Sequence, residues 1–419
     1  VVEEYRRIAD LIAADIAAGR LRPGQQLPPQ RTFARRHRIA ASTAARVYGE
    51  LVRRGLAVGE VGRGTFVRLA RTVDQVDLEL NFPVLPEQAA LLAPALERAL
   101  RHDVLDRSLR GGPASAATRE AAADLLARAG WRPDPGSLLF AAGGRQAIAA
   151  AVAALVPPGG RLGVESLTYP VLKAIAAQLG IELVPLPMDA DGVVPCRAPV
   201  DALYLQPTLH NPLGITMSPA RREEIAGLGL PIIEDGVNSF LDESLAPLAA
   251  LAPDRVVVID SLSKRLAPGL TVGYVAAPSG WANRIAVALR SGAWGSAAFA
   301  LDTATRWILD GSAARIAAAK RLDAAHRQEL VRERLPAQGN PRAYHCWLPL
   351  RSPWQADTFV AAAARRGISV TPAAAFAVVP AQAPNAVRLA LGSPPLDALT
   401  GALDTLASLL AHEPDFVEG

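Results

Sequence analysis

The sequence predicts two domains of different class. The first is a unit of three short helices closed by a β-hairpin, and the second is a larger α/β domain on a mainly parallel sheet. Helical apolar spacing recurs three times before Gly55 and gives way to two strand-like runs around a glycine turn. From about residue 137, short apolar runs alternate with helical stretches. The residues ending those runs include carboxylates, hydroxyls and one of only three lysines, Lys173, Lys264 and Lys320.

The 419 residues suit two or three domains at about 100–200 residues each. Hydrophobic residues make up 50% and aromatic ones 5%, so the cores must be mostly Ala, Leu and Val. Two cysteines, Cys196 and Cys346, provide neither a disulfide framework nor a metal cluster. The longest apolar runs, such as Ala147 to Val156, are too short to cross a bilayer. No signal peptide is read, and a reduced, cytoplasmic setting without membrane contact is expected. The net charge is +4, but residues 1–70 hold thirteen arginines against six carboxylates, or +7. A basic head on a near-neutral body points to a polyanionic partner.

In the head, Tyr5, Ile8, Leu11, Ile12 and Ile16 form one helical stripe. The turn Arg22-Pro23-Gly24 precedes a second helix, opened by Leu27-Pro28-Pro29-Gln30-Arg31 and carrying Phe33 and Ala34. Thr43 to Gly55 reads as a third, with Ala44, Val47, Tyr48, Leu51 and Val52 inward and Ser42, Thr43, Arg46, Glu50 and Arg53 on the other face. Leu56-Ala57-Val58 and Thr65-Phe66-Val67 flank Gly62-Arg63-Gly64 as a hairpin. Such an arrangement is a winged helix-turn-helix. Its recognition helix would enter the major groove by its N-terminal residues, with Ser42 and Thr43 reaching bases or phosphates. Arg31, Arg46 and Arg63 would contact phosphates, and Gly64 would let the wing backbone approach closely. The stretches Arg20-Leu21-Arg22-Pro23-Gly24, Leu27-Pro28, Ser42-Thr43, Glu50-Leu51, Gly55-Leu56 and Gly62 to Val67 resemble the DNA-binding domain of GntR-type bacterial regulators. Double-stranded operator DNA is the partner this implies. The chain departs at Ala40-Ala41-Ser42, where the family usually has an Arg.

Residues 69–78 lack firm periodicity and read as a short linker between a winged helix over 1–68 and a domain over 79–412. Strand runs lie at Leu138–Phe140, Leu162–Val164, Leu183–Leu186, Ala202–Leu205, Pro231–Ile233, Val256–Ile259 and Thr271–Tyr274. Apolar strands between helices imply a parallel sheet buried on both faces, with ligands beyond the strand carboxyl ends. There lie Gly143-Gly144-Arg145-Gln146 at a helix start, Glu234-Asp235, and Asp260-Ser261-Leu262-Ser263-Lys264. Free N–H groups at a helix start hold phosphate, and a lysine beside an electrophilic cofactor forms a Schiff base. Lys173 and Lys320 read as solvated surface charges.

This set resembles the fold type I pyridoxal-phosphate enzymes, the aspartate aminotransferase superfamily, over roughly residues 79–412. The resemblance implies a large part over about 79–310 and a small C-terminal α+β part over about 311–412. It also implies pyridoxal 5′-phosphate as cofactor, with Lys264 as the Schiff-base lysine. Asp235 would face the pyridine nitrogen, Asn211 the phenolic oxygen, and Tyr169 the ring. Gly144, Arg145, Gln146, Ser261, Ser263 and Arg265 are the phosphate candidates, and Arg388 would clamp an effector carboxylate. The chain departs from that family where a Tyr and an Arg are usual, with Val237 and Asn238 at the first place and Thr271 at the second. A GntR head on this fold resembles the MocR-type regulators. That resemblance implies a homodimeric transcription regulator responding to the cofactor or to an amine or amino-acid effector. The alternative is an aminotransferase with an appended DNA-binding module, and the departures weigh against efficient turnover.

Overall fold

The computed structural model describes residues 2–17, 20–21, 25–53, 56–60, 64–67, 75–99, 114–269, 272–292 and 298–413. The chain forms two compact units, Val1–Gln75 and Val76–Gly419.

In the first unit, α1 (Val2–Ala17), α2 (Gln30–His37) and α3 (Ala41–Arg53) precede a hairpin of β1 (Ala57–Glu60) and β2 (Gly64–Val67). The hairpin is antiparallel, with Ala57 opposite Val67. The segment Gln25–Leu27 runs along β2, where Leu27 N–H donates to the Thr65 carbonyl at 2.8 Å. Ile8, Ala9, Ile12, Phe33, Val47, Tyr48, Leu51 and Val67 build the core. Leu11 and Val52, expected inside, are 53% and 45% exposed. At 100° per residue, Leu11 falls outside the arc shared by Ile8 and Ile12, and Ala9 completes the buried face. Tyr48 stacks edge-on against Phe33, with ring centroids 5.0 Å apart, and donates to the Pro28 carbonyl at 2.5 Å. That contact ties α3 to the turn before α2. Burial pushes the Tyr48 hydroxyl up to about 12.

The second unit opens with a strand where a linker is expected. β3 (Val76–Leu78) pairs in parallel with Ile368–Val370. Three residues are too few to show alternation, and this pairing is made by backbone groups that any sequence carries. The rest of the expected linker, 69–74, lies outside the described residues. The remaining strands are β4 (Leu138–Ala141), β5 (Arg161–Glu165), β6 (Glu182–Leu186), β7 (Met188–Asp189), β8 (Gly192–Val193), β9 (Ala202–Leu205), β10 (Ile232–Asp235), β11 (Val256–Ser261), β12 (Gly273–Ala276), β13 (His345–Pro349), β14 (Ile368–Pro372) and β15 (Ala386–Ala390). Seven of them form the main sheet in the order β4-β12-β11-β10-β9-β5-β6, with β12 antiparallel to both neighbours and the other pairs parallel. Alternate residues feed separate cores. Ile232, Val256 and Val258 pack on one face, and Ile233, Val257 and Ile259 on the other. The period of two on a doubly buried sheet explains why these strands read as unbroken apolar runs.

A second sheet, β13-β15-β14-β3, packs against the helices Ala356–Arg365 and Leu396–Ala411 in a third core. The 23-residue helix Ser312–Arg334 contributes Val331 to that core and Ile316 to the main one. No helix among the described residues is long and apolar enough to cross a membrane.

Candidate functional site

The carboxyl ends of β10 and β11 bring the expected polar residues together. Along β10, Asp235 shares a face with Ile233, whose register partner on β9 is Tyr204. The Tyr204 hydroxyl donates to Asp235 Oδ2 at 2.5 Å, and the Val237 N–H donates to Oδ1 at 3.1 Å. Both groups are fully enclosed. Burial pushes the Asp235 carboxyl up, while the Tyr204 and Val237 donors and the nearby Lys264 pull it back.

Lys264 sits on a one-turn helix, Leu262–Arg265, that directly continues β11. Its Nζ donates to Asn238 Oδ1 at 3.3 Å. Burial brings the Lys264 amine down to about 8, with Asp235 opposing the shift and Arg388 adding to it. Asp235 and Arg388 are therefore each within electrostatic reach of Lys264. Asn238 stands near the position where a phenolic donor is usual in the family. Its Nδ2 is taken by the Leu209 carbonyl at 3.0 Å, and its Oδ1 faces the lysine.

The helix Gly144–Leu155 starts just beyond β4, so its first N–H groups point out of the helix end. A Cβ on Gly144 would stand 3.2 Å from Ser261 Cβ, so the helix start and Ser261 are in contact. A Cβ on Gly273 would come within 2.6 Å of the Gly143 carbonyl oxygen. Only glycine lets β12 pass beneath this turn. The Ser261 hydroxyl accepts from Ser263 N–H at 3.1 Å and so caps the lysine helix. The Gln146 side chain is committed to the turn, accepting from Ala142 N–H at 2.6 Å and donating to the Leu289 carbonyl at 3.3 Å. Arg145 is exposed.

Arg265 departs from expectation as a phosphate ligand. Asp260 alternates with Ser261 along β11 and so faces the opposite side of the sheet. Arg265 Nη2 donates to Asp260 Oδ2 at 2.7 Å, and its guanidinium lies 5.3 Å from the Phe240 ring centroid. Thr271 lies outside the described residues. Tyr169 stands at the N-cap position of the helix Pro170–Leu179, without a side-chain capping bond, and is half-buried against the core that holds Tyr204 and Ile233. Asn211 begins a cis peptide to Pro212, and its Oδ1 is buried without a partner. Thr168 Oγ1, next to Tyr169, and Gln206 Nε2, five residues before Asn211, are likewise unsatisfied. These orphaned groups, a lysine at the end of β11 and an open helix start suit an oxygen-rich, phosphorylated aromatic ligand.

Arg388 lies on β15 opposite Trp347 and Thr371. Its Nη2 donates to the Glu79 carbonyl and, at 3.0 Å, to Thr371 Oγ1, and its guanidinium sits 5.1 Å from the Phe376 ring centroid. Nε has no partner. Burial lowers this guanidinium to about 10, which is still a cation at neutral pH.

Several members were not legible in the sequence. Tyr204 reads as one apolar strand residue among others. Glu165 is enclosed at the end of β5, accepts from Gln206 N–H at 3.0 Å, and is pushed up to about 8 by burial. His210, 3.6 Å from Glu165, is brought down to about 4 by its own burial. Lys173 and Lys320 are not solvated charges. Lys173 Nζ donates to the Ala375 and Ala377 carbonyls at 2.5 and 3.0 Å, and Lys320 is fully buried. Its spacing from Ile316 and Ala324 on one helix face was the available signal.

In the first unit, Ser42 and Arg46 are exposed on α3 and Arg31 on α2. Thr43 is only 9% exposed, so most of it serves the helix packing. A three-residue turn, 38–40, joins α2 to α3. Gly64 opens β2 opposite Glu60, and Arg63 lies outside the described residues.

Residues 4–67 match the gntR family of bacterial regulatory proteins, and residues 73–404 match aminotransferase class I and II. An uncharacterized HTH-type transcriptional regulator of Bacillus subtilis, YdeF, is 31% identical over 97% of this chain and 94% of its own length. The vitamin B6 salvage pathway transcriptional repressor PtsJ of Salmonella typhimurium is 26% identical, covering 85% of this chain and 87% of the repressor. The pyridoxine biosynthesis regulator PdxR of Corynebacterium glutamicum is 28% identical over 67% of this chain and 65% of the regulator. Among solved structures, an archaeal alanine:glyoxylate aminotransferase superposes with a TM-score of 0.71 at 22% identity, covering 88% of this chain and 94% of that one. At that identity the likeness shows the aminotransferase fold alone. The chain belongs to the MocR-type members of the GntR family, a winged helix-turn-helix fused to an aminotransferase class I and II domain.

Proposed function

We propose that this protein is a transcription regulator that binds double-stranded operator DNA through its first unit and pyridoxal 5′-phosphate through Lys264 in its second. The observation that supports the cofactor reading is the Lys264 amine within electrostatic reach of the Tyr204-braced Asp235 carboxylate, at the end of a strand whose Ser261 touches an open helix start. When bound, the cofactor supplies an electrophilic carbon and an electron-withdrawing ring. Lys264, with its pKa brought toward neutrality, offers an unprotonated amine as nucleophile. Asp235 holds a proton at the pyridine nitrogen, Asn211 donates to the phenolic oxygen, and Tyr169 covers the ring. The N–H groups from Gly144 to Gln146, with Ser261 and Ser263, hold the phosphate. Arg388 offers its fork to the carboxylate of an amino-acid effector.

For DNA, Ser42 and Arg46 on α3 and Arg31 on α2 form the contact surface, with the wing beside them. A homodimer would present two such heads to half-sites about one helical turn apart. Selection of bound sequences from a random pool by the full chain, with and without pyridoxal 5′-phosphate, tests the reading. Enrichment of a two-fold symmetric site supports it, and no enrichment overturns it. The competing aminotransferase reading draws on the same Lys264 and Asp235 pair. Turnover of a common amino acid and keto acid near ~10 per second would establish it, whereas we expect amines to alter DNA affinity with transamination slow or undetectable.

A further inference from the structure

The chain has three lysines, and of the two that no role above uses, Lys320 is completely buried. Lys320 lies on the inner face of helix Ser312–Arg334 at 0% exposure. Its Nζ donates to the Lys264 carbonyl at 2.8 Å and to the Leu266 carbonyl at 2.6 Å. Gln88 Nε2 donates to the same Leu266 carbonyl at 2.7 Å. Among the described residues no carboxylate forms an ion pair with the Lys320 amine. Asp323, one turn on, is taken by Arg327 and by the Tyr344 hydroxyl.

Burial brings the Lys320 amine down to about 7, and a buried amine spent on two backbone carbonyls is costly unless those carbonyls need it. Here they do. The helix bearing Lys264 has four residues, Leu262–Arg265. A helix so short cannot sustain itself, and its last carbonyls find no N–H donors within it. Ser261 caps its start, and Lys320 closes its end, where a cation is favoured.

We propose that Lys320 is a positioning residue that fixes the backbone of Lys264 and thereby sets the location and protonation of the reactive amine. The same helix carries the constraint further. Seven and eight residues on, or about 10–12 Å along the axis, Arg327 donates to the Leu391 and Pro394 carbonyls, and Gln328 to those of Ala343 and His345. These residues flank β13 and β15, the strands beside and beneath Arg388. One rod thus holds the lysine helix at one point and the Arg388 sheet at another.

The inference takes the role of Lys264 from the reading above, so its first test needs no cofactor. Lysine labelled with 13C at Cε gives one signal per lysine, three in all for the full chain, and their pH titrations can be followed separately. In the wild type, Lys264 should titrate near 8. In Lys320→Met, the freed lysine helix should let the amine reach water, and its midpoint should rise by a pH unit or more. Lys320→Gln is uncharged but can still donate to one carbonyl, so it should give a clearly smaller rise. Equal rises in both variants would mean that only the lost charge acts, and no rise in either would mean that Lys264 is held without Lys320. Both results overturn the proposal. If Lys320→Met does not fold, Lys320→Gln is compared with Lys320→Gln/Gln88→Leu, which has the same charge but one donor fewer on the Leu266 carbonyl; the double variant should show the larger rise, and equal midpoints overturn the proposal. A second arm adds pyridoxal 5′-phosphate and reads its visible absorbance. Affinity should fall about tenfold in Lys320→Met and recover partly in Lys320→Gln. If the wild type takes up no cofactor, the cofactor reading fails, while the lysine titrations still decide the role of Lys320.

Discussion

Lys264 gains its chemistry from its surroundings, because an ordinary lysine is almost wholly protonated at neutral pH. With its pKa brought down to about 8 by burial, the neutral amine becomes the major form above that pH and the ammonium below it. The rate of covalent cofactor capture should therefore climb from pH 7 to 9 and then level off. Stopped-flow absorbance measures this, and a climb only above pH 10 would show an unperturbed lysine. Borohydride reduction followed by peptide mapping should place the label on Lys264 and on neither Lys173 nor Lys320, and Lys264→Ala should remove it. Tyr204 is the second residue on which the site depends. Its donation lowers the Asp235 pKa against the upward push of burial. Tyr204→Phe removes a hydrogen bond to a charged group worth about 1.5–3 kcal/mol, so Asp235 should take up a proton at higher pH than in the wild type. Cofactor affinity at neutral pH should fall roughly tenfold to a hundredfold, with the loss smaller at higher pH, where the carboxylate is regained. Equilibrium titration at two pH values checks both the size and the sign.

At the scale of elements, α3 joins packing to recognition. Leu51 on its inner face is completely buried in a small core, so Leu51→Ala should cost about 2–5 kcal/mol of this unit's stability, read by thermal melting. On its outer face, Arg46→Ala should leave the melt unchanged and reduce the log–log salt slope of DNA binding by about 0.9; Arg31→Ala on α2 should do the same. Amphipathic helices and doubly buried strands were legible because their apolar periods are long and repeated. So were residues whose type is rare or whose spacing is distinctive, such as Lys264 after Ser261 and Ser263. What stayed hidden depends on contacts between distant parts of the chain. β3 is held by backbone pairing with β14. Arg265 follows Lys264 and reads as a phosphate ligand, yet it pairs with Asp260, which the alternation of β11 turns to the opposite face. Lys320 reads as a surface cation until the helix register places it beside the Lys264 carbonyl.

For the whole molecule, the issue is how a ligand in the second unit could influence DNA binding by the first, and the chain path offers a route. The second unit begins at Val76, and β3 is its first element. Glu79, one residue beyond β3, gives its carbonyl to Arg388, whose other partner is Thr371 on β14, the strand that pairs with β3. Arg388 therefore holds in place the segment through which the chain passes from the DNA-binding unit. An effector carboxylate would compete for that guanidinium with the Glu79 carbonyl, because a charged bidentate acceptor outmatches a neutral single one. Releasing or reorienting residues 76–79, where the chain enters the second unit, is the route by which we expect an effector to change operator affinity. Coupling of this kind is reciprocal in binding free energy. If an amino acid changes operator affinity fivefold, operator DNA must change the affinity for that amino acid fivefold in the same sense. We expect such a coupling in the cofactor-loaded protein, about 1–3 kcal/mol in size, measured by operator titrations across a panel of amines and amino acids. Arg388→Gln should abolish it, making operator affinity independent of the panel, while sparing the Lys264 label. Simple amines lacking a carboxylate should displace cofactor absorbance yet give the weaker coupling. Equal coupling in wild type and Arg388→Gln would show that the signal leaves the site by another path.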